Sequence, residues 1–232
     1  MSGVWISDIM SDYQIGSKQG LRWKFPGGAW SEPTHIMPPA TEESAAWQSR
    51  YDAGFRLEAH EIPEGLAIWD KKSFAKTGDL FTAKGMYAVK PALAEVLSSF
   101  DLGEGGLTPL TIYEGDLVTP VNSEYWLLHL GARKDTFLPE QSNKEGYRIR
   151  SGGIAKRSGP GFTEGVEYWE IASFIQDGDV AVSTSATVGA DLWAEERVPK
   201  KLFLSGPLAK ALLEAKLKKI DFRLKQCRVV GG

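Results

Sequence analysis

Apolar residues at Leu93, Val96, Leu97 and Phe100 follow the spacing i, i+3, i+4, i+7, which marks one face of an α-helix. The same spacing returns at a constant offset, at Leu208, Ala211, Leu212 and Ala215. A short apolar run precedes each helix, Met86 to Val89 in the first copy and Leu202 to Leu204 in the second, and an apolar segment follows each. The pattern predicts two similar strand–helix–strand units, at about 86–112 and 202–224. Pro91 and Pro207 suit the first turn of their helices, and Ser205 is a good N-cap for the second. In the second unit Ile220, Phe222 and Leu224 alternate with Asp221, Arg223 and Lys225, which predicts a strand with one wet face. Glu214 and Lys218 stand four apart in the order that favours an ion pair on a helix. Such a unit cannot bury its helix face alone and needs a sheet or a second unit beside it.

Elsewhere the pattern is less regular. Residues 1–40 are rich in Gly, Pro, Ser and Trp, with a turn at Phe25-Pro26-Gly27-Gly28-Ala29-Trp30. Thr41 reads as the N-cap of a helix that runs to about Tyr51, with Glu42 and Glu43 in its favourable first turn, and Gly54 ends it. Phe55 to Ala59 alternates like a strand, and Leu66 to Trp69 and Leu110 to Tyr113 read as strands. Tyr125 to Leu130 is apolar on both sides, the mark of a buried central strand. Tyr168 to Ile175 and Val180 to Val182 are strands joined through Asp177-Gly178-Asp179. Between them and the central strand, residues 151–165 form a glycine-rich loop of a length that is often functional. The expected fold class is α+β, a mixed or antiparallel sheet with a few short helices. Residues 1–79 form an N-terminal segment packed on the core, and residues 80–232 form the core itself.

Composition narrows the class. Hydrophobic residues at 42% and charged residues at 25% fit a soluble globular chain that needs no disulfide or metal to hold its core. One cysteine, Cys227, a start without a basic and apolar leader, and no window of ~20 apolar residues together predict a cytoplasmic protein. From Arg197 onward ten basic and two acidic residues give +8, while the remainder carries 17 basic and 28 acidic residues, −11. An overall pI near 5.7 argues against a nucleic-acid-binding chain.

Candidate chemistry is sparse. His129 lies on an apolar strand with Tyr125 and Leu127 and reads as a core histidine; His35 and His60 are isolated, and no spacing suggests a metal site. Cys227 reads as a plain buried thiol. Gly152-Gly153-Ile154-Ala155-Lys156-Arg157-Ser158 lacks the order of a phosphate loop. Glu58, Glu61, Glu64, Glu114 and Asp116 read as exposed acids at strand ends and turns. Trp23 and Trp30 lie in loops, as a core lid or as sugar-stacking platforms. No catalytic residue, cofactor or metal ligand is expected.

The stretch Leu202-Phe203-Leu204-Ser205-Gly206-Pro207-Leu208 through Leu213, followed by Lys218-Lys219-Ile220-Asp221-Phe222-Arg223-Leu224, resembles the C-terminal signature of immunity family eleven of the bacterial polymorphic-toxin systems. Tyr87 to Leu97, Leu107 to Leu110 and Tyr125 to Leu130 are similar to the family's other recurring stretches. The resemblance covers roughly 80–230 and departs from the family pattern at Gly206-Pro207. It implies a cytoplasmic, non-enzymatic immunity protein that binds a cognate toxin and neutralises it by occlusion, with no nucleic acid or membrane as partner. Glu114, Asp116, Arg157 and Phe162, in loops and at strand ends, are the candidate contacts. Two other functions fit the residues: an enzyme with the 151–165 loop as a lid near His129, and a carbohydrate-binding module around Trp23 and Trp30.

Overall fold

The computed structural model describes residues 3–9, 15, 19–34, 42–145, 148–153 and 161–231. In chain order its elements begin with β1 (Val4–Ser7), β2 (Leu21–Lys24), α1 (Glu42–Asp52), β3 (Gly65–Ile68), α2 (Lys71–Phe74), β4 (Leu80–Ala83), β5 (Met86–Val89) and α3 (Pro91–Ser98). There follow β6 (Gly106–Pro109), β7 (Ile112–Tyr113), β8 (Trp126–His129), β9 (Arg133–Lys134), β10 (Ile149–Ser151) and β11 (Trp169–Ile171). The chain closes with β12 (Ala181–Ser183), β13 (Leu192–Glu195), β14 (Val198–Ser205), α4 (Gly206–Glu214), β15 (Lys225–Gln226) and β16 (Arg228–Val230). The fold is α+β.

Two sheets carry the main core. One has the order β15-β1-β14-β13-β9, the other β4-β5-β8-β6. A third, β2-β3-β7, flanks them, and two-stranded sheets β10-β11 and β12-β16 complete the set. Pairing is antiparallel except for β12 with β16, β13 with β9 and β3 with β7. Strand β1, from the N-terminal segment, lies between β14 and β15, so residues near both ends of the chain share one sheet.

The echoed helices meet in a common interior. α3 and α4 contact each other, and Leu93, Leu97, Leu208 and Leu212 join Leu80, Leu128, Leu202 and Leu204 in one apolar cluster. Neither helix buries its stripe alone; each supplies part of the cover for the other. Ser205 caps α4 by accepting from the Leu208 N–H at 3.3 Å, and Pro91 and Pro207 sit in the first turns, as expected. β8 lies between β5 and β6, a central strand.

Several expected elements differ. The first unit returns through β6, but Ile220 to Leu224 joins no ladder. Burial still alternates there, with Ile220, Phe222 and Leu224 packed on the main cluster and Asp221 and Arg223 exposed. Lys219 (φ 55°) and Arg223 (φ 49°) take left-handed backbone conformations that an unbroken strand cannot contain. α4 ends at Glu214, so the pair formed is Lys210–Glu214 at 3.7 Å, not Glu214–Lys218. Phe55 to Glu58 is irregular, because the Phe55 N–H closes α1 on the Arg50 carbonyl instead of entering a ladder. The strand expected at 168–175 stops at Ile171, and the turn at Gly178 joins strands of different sheets. Thr41, His35 and residues 154–160 lie outside the described residues.

Tyr51 links α1 to the second large sheet. Its buried hydroxyl donates to the Leu128 carbonyl at 2.7 Å and accepts from the Tyr87 N–H at 2.9 Å. Tyr87 and Leu128 are ladder partners, so the hydroxyl satisfies backbone groups of adjacent strands β5 and β8. Burial pushes the phenol pKa far above its ordinary value, which keeps it a donor at every working pH. Tyr51→Phe is expected to leave both backbone groups unsatisfied and to cost about 1–3 kcal/mol, read as a lower urea midpoint at unchanged slope.

Candidate partner-binding face

β2 runs into the turn Phe25–Gly28, closed by the Gly28 N–H on the Phe25 carbonyl at 3.0 Å. The chain then doubles back. Ser31 N–H donates to the Trp23 carbonyl at 2.8 Å, and the Trp23 N–H donates to Ser31 Oγ at 3.0 Å. This fold-back makes a lip with a groove on each side, because successive residues of β2 point to opposite faces.

The first groove, about 470 Å³, is walled by Trp30, Tyr113, Leu117 and Val118, with the Lys24–Glu64 ion pair at its edge. Trp30 meets Tyr113 edge-on, ring centres 5.8 Å apart at 82°. Gly65 permits that approach: a Cβ there would lie 2.8 Å from the Tyr113 ring. The second groove, about 530 Å³, is walled by Trp23, Phe25 and Trp47, with Glu43, His60, Glu61 and Lys84 around it. Lys84 rests over the Trp23 ring at 4.9 Å, and burial lowers its pKa. Arg50 fixes Glu61 at 2.8 Å, and Glu61 in turn accepts from the Glu58 N–H.

The loop after β7 completes the first groove. Asp116 accepts from the Val118 N–H at 3.0 Å, the Thr119 N–H at 2.9 Å and Thr119 Oγ1 at 2.5 Å. These bonds hold its carboxyl pKa below the ordinary value. Leu117 takes φ 69°, and the tight turn leaves Val118 73% exposed. Glu114 pairs with Lys71 at 2.8 Å on the same loop.

Of the candidate contacts, Glu114 and Asp116 therefore sit together beside the first groove. Asp116 acts mainly as the brace that shapes the loop. Phe162 is placed elsewhere and is not a freely exposed ring: it is half-buried, edge-on to Tyr168 with ring centres 5.1 Å apart. Arg157 lies outside the described residues. Trp23 and Trp30 fall on the two sides of the lip. Trp47, four residues before Tyr51 on α1, is buried and also lines the second groove. Lys84 is not among the residues that the sequence pattern singles out; its signal is the Lys84-Gly85 pair, a two-residue turn with positive φ at both positions, between the paired strands β4 and β5.

His129 is buried at the end of β8, with its Nε2 unpartnered among the described residues. Burial, and secondarily Arg56, lower its pKa and favour the neutral ring. The described ends of the 151–165 loop bond elsewhere, Gly152 N–H to the Tyr168 carbonyl and Ser151 Oγ to Glu167. No group of three or more His, Cys, Asp or Glu side chains among the described residues could hold a metal ion. No described helix is long and apolar enough to cross a membrane. Neither a scan against protein-family models nor a search of the curated proteins finds a match to this chain. The resemblance to immunity family eleven rests on the residues quoted for it.

Proposed function

We propose that this chain is a binding protein of the immunity type, which takes a cognate toxin on the face formed by the first groove and the Glu114–Thr119 loop and neutralises it by occlusion. The observation that supports this reading is Val118, an exposed apolar side chain held out by a braced turn, with Trp30 and Tyr113 beside it and Glu64, Glu114 and Asp116 around it. An apolar and aromatic centre with a charged rim is the composition of protein interfaces. The acid excess outside the C-terminal tail suits a basic partner surface and would speed its approach. A stable complex would bury about 1,200–2,000 Å² in total, so the face would extend past the groove itself.

The test is a search for a toxin gene beside this one and co-expression with its toxin domain, followed by growth rescue and pull-down. Rescue with recovery of a one-to-one complex is the expected result. Val118→Asp is expected to leave thermal stability within about 0.5 kcal/mol of the parent, because the site is solvent-facing. It should weaken the complex by roughly tenfold or more. Absence of rescue by well-expressed protein, or rescue and affinity untouched by Val118→Asp, would remove the reading or this face from it, respectively.

A further inference from the structure

A second charged surface lies where the segment after α4 crosses the loop after α2. Leu217 anchors that segment in the main apolar cluster, while Lys216, Lys218 and Lys219 face solvent. The crossing is pinned. Asp79 is buried; its carboxylate accepts from the Lys218 N–H at 2.6 Å, and its own N–H donates to the Lys218 carbonyl at 3.0 Å. Gly78 is required there, because a Cβ would lie 2.8 Å from the carbonyl oxygens of both Lys218 and Lys219. Lys219 Nζ donates to the Lys76 carbonyl at 3.1 Å, and Lys90 Nζ donates to the Thr77 carbonyl at 2.9 Å.

The ammonium groups of Lys90 and Lys219 thus sit on one stretch of backbone, with the charge of Lys218 felt at Lys90 and the exposed Lys76 on the loop itself. Among the described residues none of them is paired with a carboxylate. The one acid at the centre, Asp79, is turned inward on a backbone N–H. Burial lowers the Lys90 pKa, and Lys219 and Lys218 add to that by repulsion, although Asp79 opposes it. On the last turn of α4, Leu213 is 59% exposed, an apolar side chain just ahead of the lysines in sequence.

We propose that this lysine ridge is a docking surface for an acidic patch on a folded partner protein, separate from the groove face. The charges are concentrated on a pinned loop, so little ordering is needed on binding. Among the described residues only the inward-turned Asp79 offsets their mutual repulsion, which a facing cluster of carboxylates would relieve. The occupant is a compact acidic surface, not a nucleic acid. Without these four lysines the chain carries −7 in place of −3, which repels a long polyanion running off the ridge, whereas a patch comparable to the Debye length of about 8 Å meets only the lysines. Leu213 supplies the apolar contact that a phosphate backbone would not use.

The test uses the full chain and a short fluorescent glutamate-rich peptide with leucines along one face, followed by anisotropy at low and physiological salt. A labelled DNA duplex is measured in parallel. The variant is Lys76→Gln/Lys218→Gln/Lys219→Gln, which removes the charges with a polar side chain and keeps the backbone bonds of Asp79, with its fold checked by melting. The peptide should bind the parent and lose roughly tenfold or more in affinity in the variant, with a steep salt dependence. Equal binding by parent and variant, or tighter binding of the duplex than of the peptide at the same salt, would overturn the proposal. Sedimentation covers the remaining occupant: self-association of the parent that the variant loses would assign the ridge to a second copy and overturn a foreign partner. Growth rescue does not enter these readouts, so the outcome stands apart from that of the toxin experiment.

Discussion

Leu212→Asp is expected to abolish soluble expression. Leu212 is 4% exposed and borders a small apolar void, about 20 Å³, together with Leu93 and Leu97 of α3, Leu202 and Leu204 of β14, and Phe222. That void is lined by apolar surface and offers no polar partner to the water that a carboxylate would need. An unpaired charge there costs several kcal/mol even after its pKa has shifted, against a typical total stability of about 5–15 kcal/mol. Leu212→Ala is the milder probe and should cost about 2–5 kcal/mol by loss of contacts and enlargement of the void. Leu213→Asp, one residue on and 59% exposed, should stay within about 0.5 kcal/mol of the parent. Soluble yield and denaturant midpoint read all three. A Leu212→Asp protein that melts with the parent would show that the stripe shared by α3 and α4 is not what closes the core.

That stripe was legible in the sequence because helical periodicity and burial are the same physical fact. Spacing alone places Leu93, Leu97, Leu208 and Leu212 inside, where the structure has them, and local pattern marks Pro91, Ser205 and the central strand β8. Periodicity could not reveal which strands pair. β1 with β14, β3 with β7 and β12 with β16 join distant segments, and nothing in a local pattern encodes the partner. The segment Ile220 to Leu224 shows the limit most clearly. Its side chains alternate as expected, but the left-handed backbone at Lys219 and Arg223 turns its N–H and C=O groups away from a ladder. Two features of the candidate face are visible in the sequence, the acids at 114 and 116 and the tryptophans at 23 and 30, although Trp23 lies in β2 and not in a loop. The lip between the grooves is not visible there, because it depends on Ser31 bonding back to Trp23 and on Gly65 letting Tyr113 approach Trp30. The lysine ridge was half visible: the excess of charge after Arg197 is plain, but Lys76 and Lys90 join it only through the fold.

Glu195 should give the second large effect, and a pH dependence of unusual sign. A register shift between Ala194 and Glu195 on β13 places this carboxylate inside, 2% exposed. Its Oε1 accepts from the Thr136 N–H at 2.5 Å and the Phe137 N–H at 3.0 Å; its Oε2 accepts from Thr136 Oγ1 at 2.8 Å and the Trp193 Nε1–H at 3.4 Å. Lys134 stands 3.7 Å over the Trp193 ring and is itself bonded to the carbonyls of Ala186, Val188 and Ala190. Glu195→Ala strands several buried donors at once and should cost about 3 kcal/mol or more, whereas Glu195→Gln keeps the volume and an acceptor and should cost about 1 kcal/mol. Burial raises the Glu195 pKa in the folded state although the four donors pull it down. The folded protein therefore holds this proton more tightly than the unfolded chain. The associated stability is fully present below the ordinary carboxyl pKa near 4.5 and is lost as pH rises through the raised value. The difference in unfolding free energy between parent and Glu195→Gln, measured by urea titration across the acid range, should accordingly shift against the parent as pH rises. A difference that stays constant, or that moves in the parent's favour, would mean that the hydrogen bonds outweigh burial and that the carboxylate is stabilised in its charged form.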